Sequence, residues 1–143
     1  MARIIDDEAG IAQVVKNLHR VAVLGIKTEA QRDQAAYYVP AYLAQAGVEV
    51  VPVPVYYPEV TEILGKPVFR KLIDIPGSLD LVDVFRRPAD VALHLEELLA
   101  KKPKVVWMQL GISNDEVAQK LVAAGIDVVQ DRCLMVEHRR HAR

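Results

Sequence analysis

The sequence predicts an α/β protein in which an open, three-layer parallel sheet of five strands, in the order 3-2-1-4-5, carries helices on both faces. The first observation behind this prediction is a set of short apolar runs without polar alternation, which is typical of strands buried on both faces. The second is that helical patterns separate most of these runs, as in parallel sheets with crossover helices. Because such crossovers are right-handed, few topologies remain.

The first strand is predicted at Val21–Leu24, after an amphipathic helix over residues 7–18 that covers one edge of the sheet. Gly25 follows this strand directly, where the chain must turn sharply and a side chain would be unfavourable. A polar loop then leads to a helical pattern. The order of strand, glycine turn and helix makes this segment the centre of the predicted fold.

Pro40 leaves two interpretations of that second helix. Apolar spacing predicts a helix from about Gln34 to Ala46. A proline beyond the first turn removes a backbone donor and disturbs a helix. The alternative is therefore a regular helix that begins only near Tyr38, after a longer loop.

The remaining elements follow from the same patterns, with glycine or proline at most boundaries. The later strands are predicted at Val48–Val53, Leu79–Phe85, Lys104–Leu110 and Ile126–Val129. The later helices are predicted from Pro88 to about Lys101, from Asn114 to Gly125, and within 131–143. Residues 55–78 are predicted to be irregular, with short turns near Val60–Leu64 and Arg70–Asp74.

The turn after the first strand is a candidate anion site. The free N–H groups and the positive dipole end of the following helix point back towards the end of the strand. Lys27 and Arg32 add positive charge in the same loop. We therefore expect a ligand that carries phosphate.

Parallel strands end at one edge of the sheet, so the segments that follow them are expected to line one crevice. The candidate site residues are Gly25, Ile26, Lys27, Arg32, Val53, Pro54, Phe85, Arg86, Arg87, Gln109 and Gly111.

Coenzyme A suits this crevice better than NAD does. Neither the G-x-G-x-x-G pattern nor the GxxxxGK phosphate loop occurs in the sequence. A dinucleotide site would also need Asp or Glu at the end of the second strand, which here reads Val51-Pro52-Val53-Pro54-Val55. A carboxylate there would repel the ribose phosphate of coenzyme A, so its absence favours that cofactor.

Three blocks then resemble the small stand-alone CoA-binding proteins of bacteria and archaea, a family similar to the CoA-binding domain of the succinyl-CoA synthetase alpha subunit. The blocks are Val82–Pro88, Lys104–Ile112 and Asp131–His138, and the resemblance runs from about Val14 to His141. It implies a Rossmann-like fold with coenzyme A bound at the strand ends. The family's ligand contacts would fall on Gly25–Arg32, Val53-Pro54 and Phe85-Arg86.

We therefore expect a module that binds coenzyme A or an acyl-CoA and has no evident catalytic group. Two segments depart from the family pattern: residues 26–33 have no serine soon after the glycine, and Val53-Pro54-Val55 replaces Val-Asn-Pro. These departures support an alternative, a regulatory or scaffold subunit whose nucleotide crevice is vestigial. A fragment of an NAD-type enzyme is the other alternative.

Composition limits the partners. The 143 residues suit one domain over 1–143, and 18 basic against 19 acidic residues give a net charge of −1, which argues against nucleic-acid binding. No apolar run approaches the length that a membrane-spanning helix needs. The single cysteine, Cys133, fits a reducing compartment, so we expect a cytoplasmic protein. A homodimer is expected only because dimers are common among small domains.

The C-terminal segment carries no predicted catalytic or metal site. Cys133 and His138 are five residues apart, a spacing at which helical side chains do not face each other, so the cysteine is interpreted as structural. Glu137 to His141 contains two histidines but lacks a full set of metal ligands.

Overall fold

A computed structural model describes residues 1–142 and contains a five-stranded parallel sheet and a small two-stranded antiparallel sheet. The strands are β1 Arg20–Leu24, β2 Glu49–Val53, β3 Glu62–Ile63, β4 Lys66–Pro67, β5 Leu81–Val84, β6 Val105–Met108 and β7 Asp127–Val129. The α-helices are α1 Glu8–Lys16, α2 Ala35–Gln45, α3 Leu95–Lys101, α4 Asp115–Ala123 and α5 Leu134–His141. The predicted α/β class and parallel sheet are confirmed.

The sheet has one hydrophobic core on each face, as expected for strands buried on both sides. Alternate residues of β1 divide between them: Ala22 and Leu24 pack with α3 and α4, whereas Val21 and Val23 pack with α1, α2 and α5. This division is the period-two alternation of side chains along a strand. The predicted three layers are therefore present.

The position of the third main strand differs from the prediction. The observed order is β2-β1-β5-β6-β7, so β5 lies beside β1 rather than outside β2. Pro52 gives the physical reason, because a proline cannot donate a hydrogen bond to a further strand and belongs at a sheet edge. The outward carbonyl of Pro52 instead accepts from the N–H of Phe69 at 2.9 Å. The topology therefore reverses between β1 and β5.

Local boundaries also differ from the prediction. The helix α2 begins at Ala35 with Pro40 inside it, so the interpretation with a later start is wrong. The helix predicted from Pro88 is divided into a 3-10 helix, Pro88–His94, and α3. The third main strand is limited to Leu81–Val84.

The segment predicted to be irregular contains three short elements. The strands β3 and β4 form a hairpin, and Leu72–Asp74 forms a 3-10 turn beneath α3. Within residues 1–142, no helix is both long enough and apolar enough to cross a membrane.

Candidate functional site

The turn after β1 presses against the end of β5. Gly25 has φ +88°, and a Cβ at this position would lie 2.2 Å from the carbonyl oxygen of Phe85. The Gly25 N–H donates to the carbonyl of Val53 at 2.9 Å, and the Phe85 N–H donates to that of Leu24 at 2.8 Å. Only glycine fits this approach, which joins the carboxyl ends of β1, β2 and β5.

A proline in the next helix anchors the loop that follows the turn. In a regular helix the N–H of residue 40 would bond the carbonyl of Ala36, but Pro40 has no N–H. That carbonyl instead accepts from the N–H of Lys27 at 3.1 Å. The loop is thus held against α2 by an acceptor that the proline leaves free.

A cleft of about 500 Å³ opens between this loop and the ends of β2 and β5. Its lining consists of Lys27, Gln34, Ala35, Ala36, Tyr56, Phe85, Arg86, Arg87 and Ile112. The first turn of α2 contributes backbone N–H groups and the positive end of the helix dipole. Three basic side chains share this lining, so the cleft suits an anion.

The arginines in the cleft have different partners. Arg86 is half-buried and donates through Nε to His94 Nε2 at 3.1 Å, and its guanidinium lies 5.7 Å from the centre of the Tyr56 ring. Arg87 is largely exposed and forms an ion pair with Asp90 at 2.7 Å. The local charge of Arg87 is therefore neutralised by a carboxylate, whereas Arg86 contacts an imidazole.

The structure brings only part of the predicted set together. Lys27, Phe85, Arg86 and Arg87 line the cleft, with Gly25 behind them at the turn. The side chains of Ile26, Val53 and Pro54 are buried, and these residues are not among those that line the cleft. Arg32 is exposed at the end of a 3-10 turn and is outside the residues that line the cleft.

Gln109 and Gly111 belong to a different part of the same edge. Gln109 is buried, and its side chain accepts from the N–H of Leu134 at 2.9 Å, at the start of α5. The Gly111 N–H donates to Asp131 at 2.6 Å. The expected strand order would have placed these residues at the reversal point. With β5 in between, they lie one strand away from it.

The sequence prediction missed several residues at the cleft. The cleft is lined by Tyr56, Gln34, Ala35 and Ile112, and His94, outside the lining, accepts a hydrogen bond from Arg86. Tyr56 follows shortly after the end of β2, so its position after a predicted strand could have identified it as a candidate site residue. No local signal marks His94, because its contact with Arg86 depends on how the 3-10 helix folds back.

One buried carboxyl group and one cluster of titratable side chains lie outside the cleft. Complete burial raises the pKa of the Asp83 carboxyl well above its usual range, and its oxygens have no hydrogen-bond partner among residues 1–142. Elsewhere Glu8, Glu137 and His141 have ligand atoms within 4.8 Å of one another. Guanidiniums of Arg132 and Arg140 lie within 4 Å of both carboxylates, so this cluster is an ion-pair network joining α1 to α5.

Fold and site together define a class of protein: a doubly wound α/β domain with a cationic cleft at the point where the strand order reverses. Open α/β sheets bind ligands at such points. A sequence model of the CoA binding domain matches residues 19–139. The chain therefore belongs to the CoA binding domain family, and the resemblance seen in the sequence is confirmed.

Individual proteins are similar to this chain over most of its length. The chain is 33% identical over 131 residues to the uncharacterized protein YneT of Bacillus subtilis, an alignment that covers 92% of this chain and 93% of that protein. A Thermus thermophilus structure, cell-free ID.343, shares 38% identity with TM-score 0.85, covering 94% of this chain and 98% of its own. A hypothetical protein from Pyrococcus horikoshii OT3 shares 30% identity with TM-score 0.84, covering 100% and 99% respectively.

Proposed function

We propose that this chain binds coenzyme A, free or acylated, in the cleft between the ends of β1 and β5, and that it is a binding module without a catalytic group of its own. The observation that carries the proposal is the lining of that cleft. The first turn of α2, Lys27 and Arg86 converge there from separate elements. Membership of the CoA binding domain family supplies the class of ligand.

The phosphates of the ligand are assigned to the turn after Gly25 and to the first turn of α2. Backbone N–H groups and the dipole favour negative charge at such a terminus. Arg86 offers a planar set of donors that matches phosphate oxygens. Glu29 and Asp33, which would repel phosphate, are exposed and outside the lining of the cleft.

Thermal unfolding with several ligands tests the proposal. A ligand at about 100 times its Kd adds about 2.7 kcal/mol to the free energy of unfolding, which raises Tm by several degrees in a domain of this size. We expect that shift with coenzyme A, a smaller one with 3′-dephospho-coenzyme A, and none with NAD at the same concentration. A shift with NAD alone would favour the dinucleotide-binding alternative, and no shift with any of them would favour a vestigial crevice.

Replacing Arg86 locates the site. Arg86→Ala should weaken coenzyme A binding by more than about tenfold, because it removes a charge-assisted hydrogen bond to phosphate. Arg139→Ala is the matched control. Arg139 is on α5, its guanidinium lies over the ring of Tyr42 of α2, and it is outside the lining of the cleft. Equal affinities for the two variants, measured by calorimetry, would remove Arg86 from the site.

A further inference from the structure

Arg86 is the first member of a hydrogen-bonded chain that leads away from the cleft. Its Nε donates to His94 Nε2 at 3.1 Å, and His94 Nδ1 lies 3.0 Å from Glu97 Oε2. The other oxygen of Glu97 accepts from the backbone N–H of Leu72 at 3.0 Å. The chain therefore connects the cleft to the backbone of the 3-10 turn under α3.

The protonation of His94 follows from its partners. A guanidinium has only donors, so Nε2 of His94 must be the acceptor of this bond. The proton of the neutral imidazole is then on Nδ1, where it donates to Glu97. Burial raises the pKa of Glu97, but hydrogen bonds from His94 and from the Leu72 N–H, together with the nearby charge of Lys71, lower the pKa overall. Glu97 is thus a carboxylate that fixes the orientation of the ring.

His94 and Glu97, the inner members of this series of hydrogen bonds, are better shielded from water than Arg87, the exposed arginine beside it. The side chains of His94 and Glu97 are 13% and 25% exposed, whereas that of Arg87 is 81% exposed. Arg87 bonds a carboxylate directly, which cancels its charge locally. Because a neutral imidazole separates Arg86 from Glu97, Arg86 is oriented without direct contact with a negative charge.

The remaining donors of Arg86 are available for a ligand. A guanidinium has five N–H groups. Among residues 1–142, Arg86 uses one on His94 and one on the hydroxyl of Tyr56 at 3.3 Å. The other three N–H groups make no hydrogen bond among these residues, and Arg86 is one of the residues that line the cleft.

We propose that His94 and Glu97 are positioning residues that fix the guanidinium of Arg86 as the anion-binding group of the cleft. Through Arg86 they set the affinity for the phosphates of coenzyme A, and this part of the inference rests on the proposed function. The arginine side chain is long and flexible. Fixing its conformation before the ligand binds reduces the conformational entropy that is lost on binding.

A double-mutant cycle tests the inference by calorimetry with coenzyme A. His94→Leu should weaken binding about three- to tenfold, and Arg86→Ala by more than about tenfold. The double variant should bind no more weakly than Arg86→Ala alone. If the two fold-losses of affinity multiplied in the double variant, His94 would act independently of Arg86. An unchanged affinity in His94→Leu would show that Arg86 binds the ligand without support from His94. Either result would overturn the inference.

A conservative replacement separates positioning from packing. His94→Gln keeps a carbonyl oxygen that can accept from Arg86 Nε, so it should recover most of the affinity that His94→Leu loses. His138→Leu is the matched control, because His138 is another half-buried histidine that bonds Tyr42 away from the cleft. It should leave the affinity unchanged. A loss in His94→Gln as large as in His94→Leu would count against positioning.

A measurement without ligand keeps the inference separate from the proposed function. In nitrogen-15 NMR of the free protein, the Nε–H of Arg86 should exchange slowly in the native chain and rapidly in His94→Leu. Rapid exchange in both would overturn the positioning role. Slow exchange in a native chain that fails to bind coenzyme A would support the positioning role and refute the proposed function.

Discussion

Each half of the carboxyl edge of the sheet has a cleft, of about 500 Å³ at β1 and β5 and about 460 Å³ at β6 and β7, and the two halves differ in how their polar groups are paired. At the ends of β1 and β5, side chains leave a cleft, and Arg86 is held from behind. At the ends of β6 and β7, the polar groups bond each other. Asp131 accepts from the Gly111 N–H, Gln130 from the Asn114 N–H, and Gln109 from the N–H of Leu134.

The comparison shows that a glycine after a strand has different surroundings depending on which strands lie beside it. Gly25 and Gly111 occupy equivalent places and both have positive φ, +88° and +85°. The difference is in what surrounds them, because the topology reverses beside Gly25 and not beside Gly111. Open α/β sheets bind their ligands where neighbouring crossovers leave on opposite faces of the sheet.

The largest expected effect comes from substituting the two glycines. Gly25→Ala should lower the free energy of unfolding by about 3–4 kcal/mol, because it adds a backbone clash at 2.2 Å to the cost of a positive φ. Gly111→Ala should cost only about 1–2 kcal/mol, since no atom lies within 4 Å of its Cβ position among residues 1–142. Urea unfolding of both variants measures the difference.

Coenzyme A affinity extends the same comparison. Gly25→Ala should lose measurable binding, whereas Gly111→Ala should keep the native Kd. Equal costs in stability for the two alanines would mean that the close approach at Phe85 is not a constraint. A loss of affinity in Gly111→Ala would show that the turn after β6 contributes to the site through more than the lining residue Ile112.

A pH-dependent effect concerns the buried polar side chains beneath the two halves. Gln109 has a hydrogen-bond partner, whereas Asp83 has none among residues 1–142, and its pKa is raised by burial. The folded state therefore holds the Asp83 proton to higher pH than the unfolded state does. Stability from this group is complete below the unfolded pKa and is lost as pH rises, by up to about 1.4 kcal/mol per pH unit.

Asp83→Asn removes this titration and retains the shape of the side chain. The difference in unfolding free energy between the variant and the native chain should therefore change in favour of the variant as pH rises above about 4. Urea unfolding at several pH values from 4 to 7 measures it. A difference that stays constant with pH would mean that Asp83 is ionised in the folded protein as it is in the unfolded one.

The smallest effect is expected for a charge outside the lining of the cleft. Arg32→Ala should change coenzyme A affinity by less than about twofold, because exposed charges that make no direct contact are screened by salt. Lys27→Ala, in the same loop but in the cleft, should weaken binding several-fold. Calorimetry in about 0.15 M salt compares them. A larger loss for Arg32 than for Lys27 would move the phosphate site along the loop.

Much of the fold was predictable because its signals are local. The Gly25 turn follows from a strand run and a glycine, and the caps at Asp7 and Asn114 bond Gly10 and Val117 as their residue types favour. The start of α2 was left open by Pro40. Its effect depends on whether another donor uses the Ala36 carbonyl, and that donor is Lys27.

The candidate site was only partly predictable because it depends on which strands are neighbours. Gln109 was expected at the crevice because it follows a strand end, but its side chain turns to α5. Arg86 and Arg87 are adjacent residues of one type, and only their burial and their contacts with His94 or Asp90 distinguish them. Pro52 did carry a signal for an edge strand, and that signal would have corrected the strand order.

The sequence by itself determined the α/β class, the approximate place of each strand, the glycine turn and the resemblance to CoA-binding proteins, since apolar periodicity and backbone preference act over a few residues. Only the tertiary structure decided that β5 lies beside β1, that the cleft opens between them and that His94 supports Arg86. These features depend on contacts between distant segments, and no local preference specifies which segments meet.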